Sequence, residues 1–154
     1  MGVRIDDFKA LKEMTDAGSL TVVDGIPAEA GDFRPQGGMM TFGEQVHHLS
    51  SVERYIAAKI VDGLALPLTI PEADTASPLD GLRGDLRETL RMTQELLNHL
   101  QDSDLDRMVP LGGGRERSVR YLLQVMVEHQ VHHRGQMVVY FRTMGTEPPR
   151  RWND

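Results

Sequence analysis

Eight residues in the C-terminal part of the chain fall at steps of three and four: Val119, Leu122, Met126, His129, His133, Met137, Tyr140 and Met144. That rhythm is one buried face of an α-helix. A helix this long cannot cover its own stripe, so the chain must supply other helices to pack against it. Ser118 is placed to N-cap the helix and Gly145 to cap its C-terminus. Pro148 and Pro149 stop it from continuing.

Gly- and Pro-rich breaks separate three more helical segments. The first runs from about Asp6 to Asp16, with fraying toward Val23. The loop GIPAEAGDFRPQGGMM follows. Thr41 with Glu44 three residues later forms a capping box. It opens a second helix that reaches about Val61 and ends near Gly63. A proline-rich crossing, LPLTIPEADTASP, leads to a third helix from about Leu79 to Leu100. The stretch DSDLDRMVPLGGGRER is a connection, and strand signals are poor throughout. The expected fold class is all-α: a four-helix bundle with long crossover loops, an architecture that builds metal sites between facing helices.

At 154 residues the chain is expected to form one domain over 1–154, large enough to bury a core without staples. It has no cysteine, which excludes disulfides, thiolate metal sites and cysteine nucleophiles. Histidine is left as the main candidate ligand. The net charge of −6 is interspersed, with no basic stripe for nucleic acid, and the cluster Arg150–Trp152 is too short to make one. No apolar run approaches the roughly 20 residues of a membrane span. The opening MGVRIDDF lacks an apolar signal core, and Asp6 stands where a myristoylation signal after Gly2 wants Ser or Thr. A cytoplasmic protein without membrane or nucleic-acid partners is expected.

Five of the six histidines lie in two clusters, His47-His48 and His129, His132, His133. His129 and His133, four apart, share a helix face inside the apolar stripe. His132 is offset by about 100° and reads as a flanking residue. Two adjacent imidazoles on an apolar face each need a partner and repel when protonated. A shared metal ion meets both conditions. The third ligand comes from the second helix. His48 shares its face with Val52, Tyr55 and Ile56, whereas His47 lies with Ser50, Ser51 and Arg54. His48 is therefore the better inward ligand. His99 stands alone and reads as a surface residue.

Several patterns are set aside. His129 is followed by Gln130, not by the glutamate a zincin needs. Glu44–His47 matches the Glu-x-x-His half of a di-iron motif, but no second copy exists, so Glu44 reads as a cap. LGGGRERS lacks the lysine of a phosphate loop. Gly135, inside a helix, suggests close approach of a neighbouring helix. Gln136 is a candidate to orient a ligand. Arg134 is a candidate partner for a carboxylate such as Glu53, or for an anionic substrate.

TFGEQVHHLSSVERYI, followed about 80 residues later by HQVHHRGQM, resembles the DinB/YfiT-like superfamily. The likeness extends to the FRP lead-in, to Glu53 after the histidine pair, to the serine entry into the last helix and to the terminal G…PP. It implies a four-helix bundle with a divalent metal on His48, His129 and His133. The same three residues emerge from the face analysis. It also implies relatives that are thiol-dependent transferases or metal-dependent hydrolases, often homodimeric. The leading expectation is an enzyme in which zinc or nickel activates a water or a low-molecular-weight thiol against a small-molecule substrate. Lacking cysteine, the protein must take any thiol from a cosubstrate. No general base is assigned, and neither Glu53 nor Glu128 is placed in that role. The alternative is a non-catalytic bundle, metal-stapled and acting as a structural or binding protein. A third reading is a metal-free bundle with a polar core.

Overall fold

The computed structural model describes residues 3–73 and 78–150. Gly2, residues 74–77 of the proline-rich crossing and the Arg151-Trp152 part of the basic run lie outside the described residues. Four α-helices account for most of the structure: α1 (Ile5–Asp24), α2 (Phe42–Leu64), α3 (Leu79–His99) and α4 (Val119–Thr143). The capping chemistry is as the sequence indicates. Thr41 accepts from the Glu44 amide at 3.0 Å while the Glu44 carboxylate takes the Thr41 amide at 2.7 Å. Ser118 accepts from the Tyr121 amide at 3.2 Å. Gly145 lies just past α4 with φ 76°, a conformation glycine adopts without strain.

Two elements differ from expectation. α1 does not stop at Asp16 but continues to Asp24. Its apparent end in the sequence is a set of polar residues, Thr15, Asp16 and Ser19, that face inward and are buried. The connection before α4 also contains an antiparallel hairpin, β1 (Met108–Gly112) and β2 (Arg115–Ser118). Gly112, Gly113 and Gly114 turn it with positive φ throughout. Val109 of β1 is fully buried against α2, where a Cβ on Gly63 would come within 3.0 Å of its Cγ1. Gly63 thus lets the hairpin seat, and α2 ends one residue later, at Leu64.

α1 and α2 each pack against both α3 and α4. This puts α1 and α2 on opposite corners of the bundle. Two apolar clusters fill it. One gathers Phe8, Ile60, Leu96, Val109 and Leu122 at the hairpin end. The other gathers Val23, Phe42, Leu86, Met137 and Phe141 at the far end. Between them every helix contributes polar side chains: Lys12, Asp16 and Ser19 from α1, Glu53 from α2, Thr93 from α3 and Gln130 from α4, all buried. The bundle is therefore two apolar cores divided by a polar layer. No helix among the described residues is long and apolar enough to cross a membrane.

Candidate metal centre

The edge of that polar layer, where α2 faces α4, carries His48, His129 and His133. Their ring centroids are 4.9, 4.8 and 4.4 Å apart, and the planes are tilted rather than stacked. The Nε2 atoms of His48 and His129 face each other at 3.1 Å. All three ligand nitrogens lie within 4.8 Å of one another, a group that could hold a metal ion. Zinc–imidazole bonds of about 2.0–2.1 Å at a tetrahedral angle put neighbouring nitrogens about 3.3 Å apart. The His48–His129 spacing is close to that value, so the donor set fits a small divalent ion.

The electrostatics favour neutral rings. Burial, then the neighbouring His48 and His132 rings, lowers His129 to about 4. Burial, then His129, His48 and His132, lowers His133 to about 4, with a smaller push the other way from Gln136. His48 moves in the same direction through burial and His47. Imidazoles that stay unprotonated at neutral pH present lone pairs, the form a metal takes.

A chain of side-chain amides backs the cluster. Gln45, one turn before His48 on α2 and buried, has its Oε1 against Nδ1 of His133. Its Nε2 donates to Oε1 of Gln136 at 2.8 Å and to the Tyr140 hydroxyl at 3.2 Å. Tyr140 donates in turn to the Met40 carbonyl at 2.8 Å. Gln136 lies beside His133, where it raises the ring's pKa slightly, and it also holds Gln45. Gln45 itself was legible only as a polar member of the stripe Phe42, Gln45, Val46, Leu49.

The remaining candidates fall outside the cluster. His132 is exposed, its Nε2 taken by Gln136 at 2.8 Å. His47 contacts the Ser51 hydroxyl at 3.1 Å, and His99 is exposed. Among the described residues nothing lies within 4 Å of a Cβ built on Gly135, so the expected close helix approach is not found there. Glu53 is held by other partners than Arg134, which reaches the Thr15 carbonyl at 3.4 Å. The face contrast on α2 also needs correction. Ser50 and Arg54, on the polar face, are buried, while Tyr55, on the apolar face, is 52% exposed. Arg54 donates there to Thr89 at 2.7 Å and to the Glu72 carbonyl at 2.8 Å, and pairs with Asp85.

An ion cluster occupies the bundle centre. Lys12 donates to Asp16 at 2.7 and 2.9 Å and pairs with Glu53. Thr93 donates to Glu53 at 2.7 Å. The Gln130 amide bridges Asp16 and Glu53 at 2.8 Å each and accepts from Ser19 at 2.8 Å. Burial pushes Asp16 up to about 6 against the pull of Lys12, with Glu53 adding to the rise. Burial acts to lower Lys12, but Glu53 and Asp16 outweigh it and hold it above its ordinary value. The signal available in the sequence was Lys12 and Asp16 at i, i+4 within the stripe Ile5, Phe8, Lys12, Thr15, Ser19, Val22.

The histidine edge is open to solvent on two sides. A hollow of about 400 Å³ lies beside His48, bounded by Arg34, Met39, Met40 and Glu44. Another of about 520 Å³ is bounded by Val125, Glu128, His129 and His132.

Residues 12–137 match the model of the DinB superfamily, a span that includes all three histidines. The chain belongs to the DinB superfamily. A DinB relative, YjoA of Bacillus subtilis strain 168, is 33% identical over 120 residues, covering 76% of each chain. The crystal structure of YjoA, described as a DinB-like protein, superposes with a TM-score of 0.67 at 25% identity, over 97% of this chain and 96% of the other. A DinB-like protein from Bacillus cereus ATCC 10987 gives 0.72 at 21% identity over 97% and 99%. A conserved protein from Enterococcus faecalis gives 0.66 at 14% identity over 95% and 99%. The last two speak to the fold alone. The four-helix bundle is thus shared with these structures over 95–97% of this chain.

Proposed function

We propose that this DinB protein is a divalent-metal-dependent enzyme whose ion is held by His48, His129 and His133. The observation that carries the reading is the 3.1 Å approach of two imidazole Nε2 atoms from different helices, with a third imidazole in the same group. Two half-buried lone pairs at that distance have no mutual stabilisation unless a proton or a cation lies between them. Burial lowers both His48 and His129, so the doubly protonated form of either ring is disfavoured.

Zinc or nickel held this way supplies an electrophilic centre with an open position, at which a water or thiol is acidified toward neutrality. The protein contributes the rest. α2 and α4 fix the rings through the apolar packing on both sides of the polar layer. The hollow beside His48 admits a small molecule, with Met39 and Met40 offering apolar contact. Because the chain has no cysteine, a thiol nucleophile arrives as a low-molecular-weight cosubstrate. Transfer to an electrophilic small molecule and hydrolysis are the two reaction classes this supports.

The solvent-open flanks favour an enzyme over an ion that only staples α2 to α4, since a staple needs no access. Screening metal-loaded protein with low-molecular-weight thiols and electrophilic acceptors, and with ester and amide substrates, tests this. Turnover that disappears in His133→Ala is expected. Equal turnover in wild type and His133→Ala would remove the catalytic claim.

A further inference from the structure

The proton on His133 is decided at a backbone carbonyl two residues before α2 begins. The Met40 carbonyl can only accept, and the Tyr140 hydroxyl lies 2.8 Å from it. The hydroxyl proton is therefore spent there, and the Tyr140 oxygen can only accept from its other neighbour. That neighbour is the Gln45 side-chain amide, at 3.2 Å. The Gln45 atom facing Tyr140 must accordingly be the NH₂ group, which also finds Oε1 of Gln136 at 2.8 Å. Its carbonyl oxygen is left pointing at Nδ1 of His133. An amide oxygen offers no proton, so Nδ1 must carry one. In a neutral imidazole the lone pair then resides on Nε2.

We infer that Gln45 is a positioning residue that fixes His133 as its Nδ1–H tautomer and turns Nε2 toward His48 and His129. The amide orientation does not have to be assumed, because the Met40 carbonyl anchors the whole series. The far end of the series is consistent. Gln136, its oxygen engaged by Gln45, points its NH₂ at Nε2 of His132 at 2.8 Å. The same chain that presents the His133 lone pair thus occupies that of His132. No carboxylate takes part, so His133 is oriented without adding negative charge to the cluster. Metal-ligating histidines depend on such outer partners for tautomer and ring orientation, and losing one typically weakens metal binding about 10- to 100-fold.

The affinity consequence rests on the proposed metal centre, whereas the tautomer does not, and the test separates them. Long-range ¹H–¹⁵N correlations on the full-length chain would report the His133 tautomer in wild type, Gln45→Leu, Gln45→Glu and Tyr140→Phe. Zinc titration against a competing chelator would report affinity for the same proteins. Wild type should show Nδ1–H at His133. Gln45→Leu should shift His133 toward Nε2–H or a mixture and weaken zinc by about 10- to 100-fold. Gln45→Glu retains an acceptor toward Nδ1 and should keep the tautomer, which distinguishes positioning from loss of packing. Tyr140→Phe removes the anchor and should give a smaller shift in the same direction. A tautomer change in Gln45→Leu alongside wild-type protein that binds no zinc would uphold the role of Gln45 and refute the metal centre. Nε2–H at His133 in wild type, or a Gln45→Leu protein with unaltered tautomer, would overturn the inference.

Discussion

The bundle contains two polar centres in one layer, built on opposite principles. At the middle, Lys12, Asp16, Glu53, Thr93, Ser19 and Gln130 form a closed set in which the ammonium and the carboxylates all have partners. At the α2–α4 edge, His48, His129 and His133 turn ring nitrogens toward one another and toward open hollows. The first satisfies itself and needs nothing from outside. The second gathers ring nitrogens at an edge that solvent reaches, where a cation could take their lone pairs. Burial of polar residues therefore does not by itself mark a binding site. An incomplete set of donors and acceptors at a reachable edge does.

Breaking the closed centre should have the largest effect. Lys12→Met leaves two buried carboxyl groups without their cation and is expected to destabilise by about 3–5 kcal/mol in urea unfolding. The same change should leave metal affinity per folded molecule nearly intact. A loss of stability under about 1 kcal/mol would show that the centre is less closed than its geometry indicates.

The open centre should respond to its ligand instead. Zinc at 100 times its dissociation constant should add about 2.7 kcal/mol to wild-type stability. His129→Ala and His133→Ala should abolish that gain, and a chelator should reverse it in wild type. In metal-free protein, replacing either histidine should change stability far less than Lys12→Met does.

The two centres also oppose each other in pH. His129 and His133 lie at about 4 in the fold against an ordinary 6.5. Their contribution to stability is present above pH 6.5 and is lost as pH falls through about 4. Asp16, raised from 3.8 to about 6, acts in reverse: its contribution is present at low pH and is lost as pH rises through about 6. Two groups outweigh one, so metal-free protein should lose stability between pH 6.5 and 4 in thermal melts. Removing His129 and His133 together should flatten or invert that slope. An unchanged slope would mean the rings are not held neutral by the fold.

The smallest effect is expected at His132. It neighbours His133 with centroids 5.0 Å apart, yet it is exposed and its Nε2 is engaged by Gln136. His132→Ala should leave zinc affinity unchanged within error in the same competition titration. A loss matching that of His129→Ala would move the centre toward solvent.

The difference between the centres also explains what was legible in the sequence. Apolar periodicity and caps located all four helices; histidine spacing pointed to His129 and His133, and the face comparison on α2 to His48. The ion cluster left only the Lys12–Asp16 spacing as a trace, since Lys12, Glu53 and Gln130 are residues that usually face water. Their burial follows from partners on other helices, which periodicity along one helix cannot register. For the same reason the sequence shows α1 only as far as about Asp16, fraying toward Val23, and puts Arg54 on the polar face of α2 although α3 and the 71–72 backbone cover it. The hairpin was missed because β2 is charged and exposed and β1 buries little beyond Val109. Gln45 escaped notice because its importance lies in which atom faces His133.

Metal analysis of protein purified without a polyhistidine tag tests the central claim most directly. Stoichiometric zinc, nickel or another divalent ion is predicted in wild type, with its loss in His129→Ala. Absence of stoichiometric metal, together with an identical melting temperature for wild type and His129→Ala under added zinc or nickel, would contradict it.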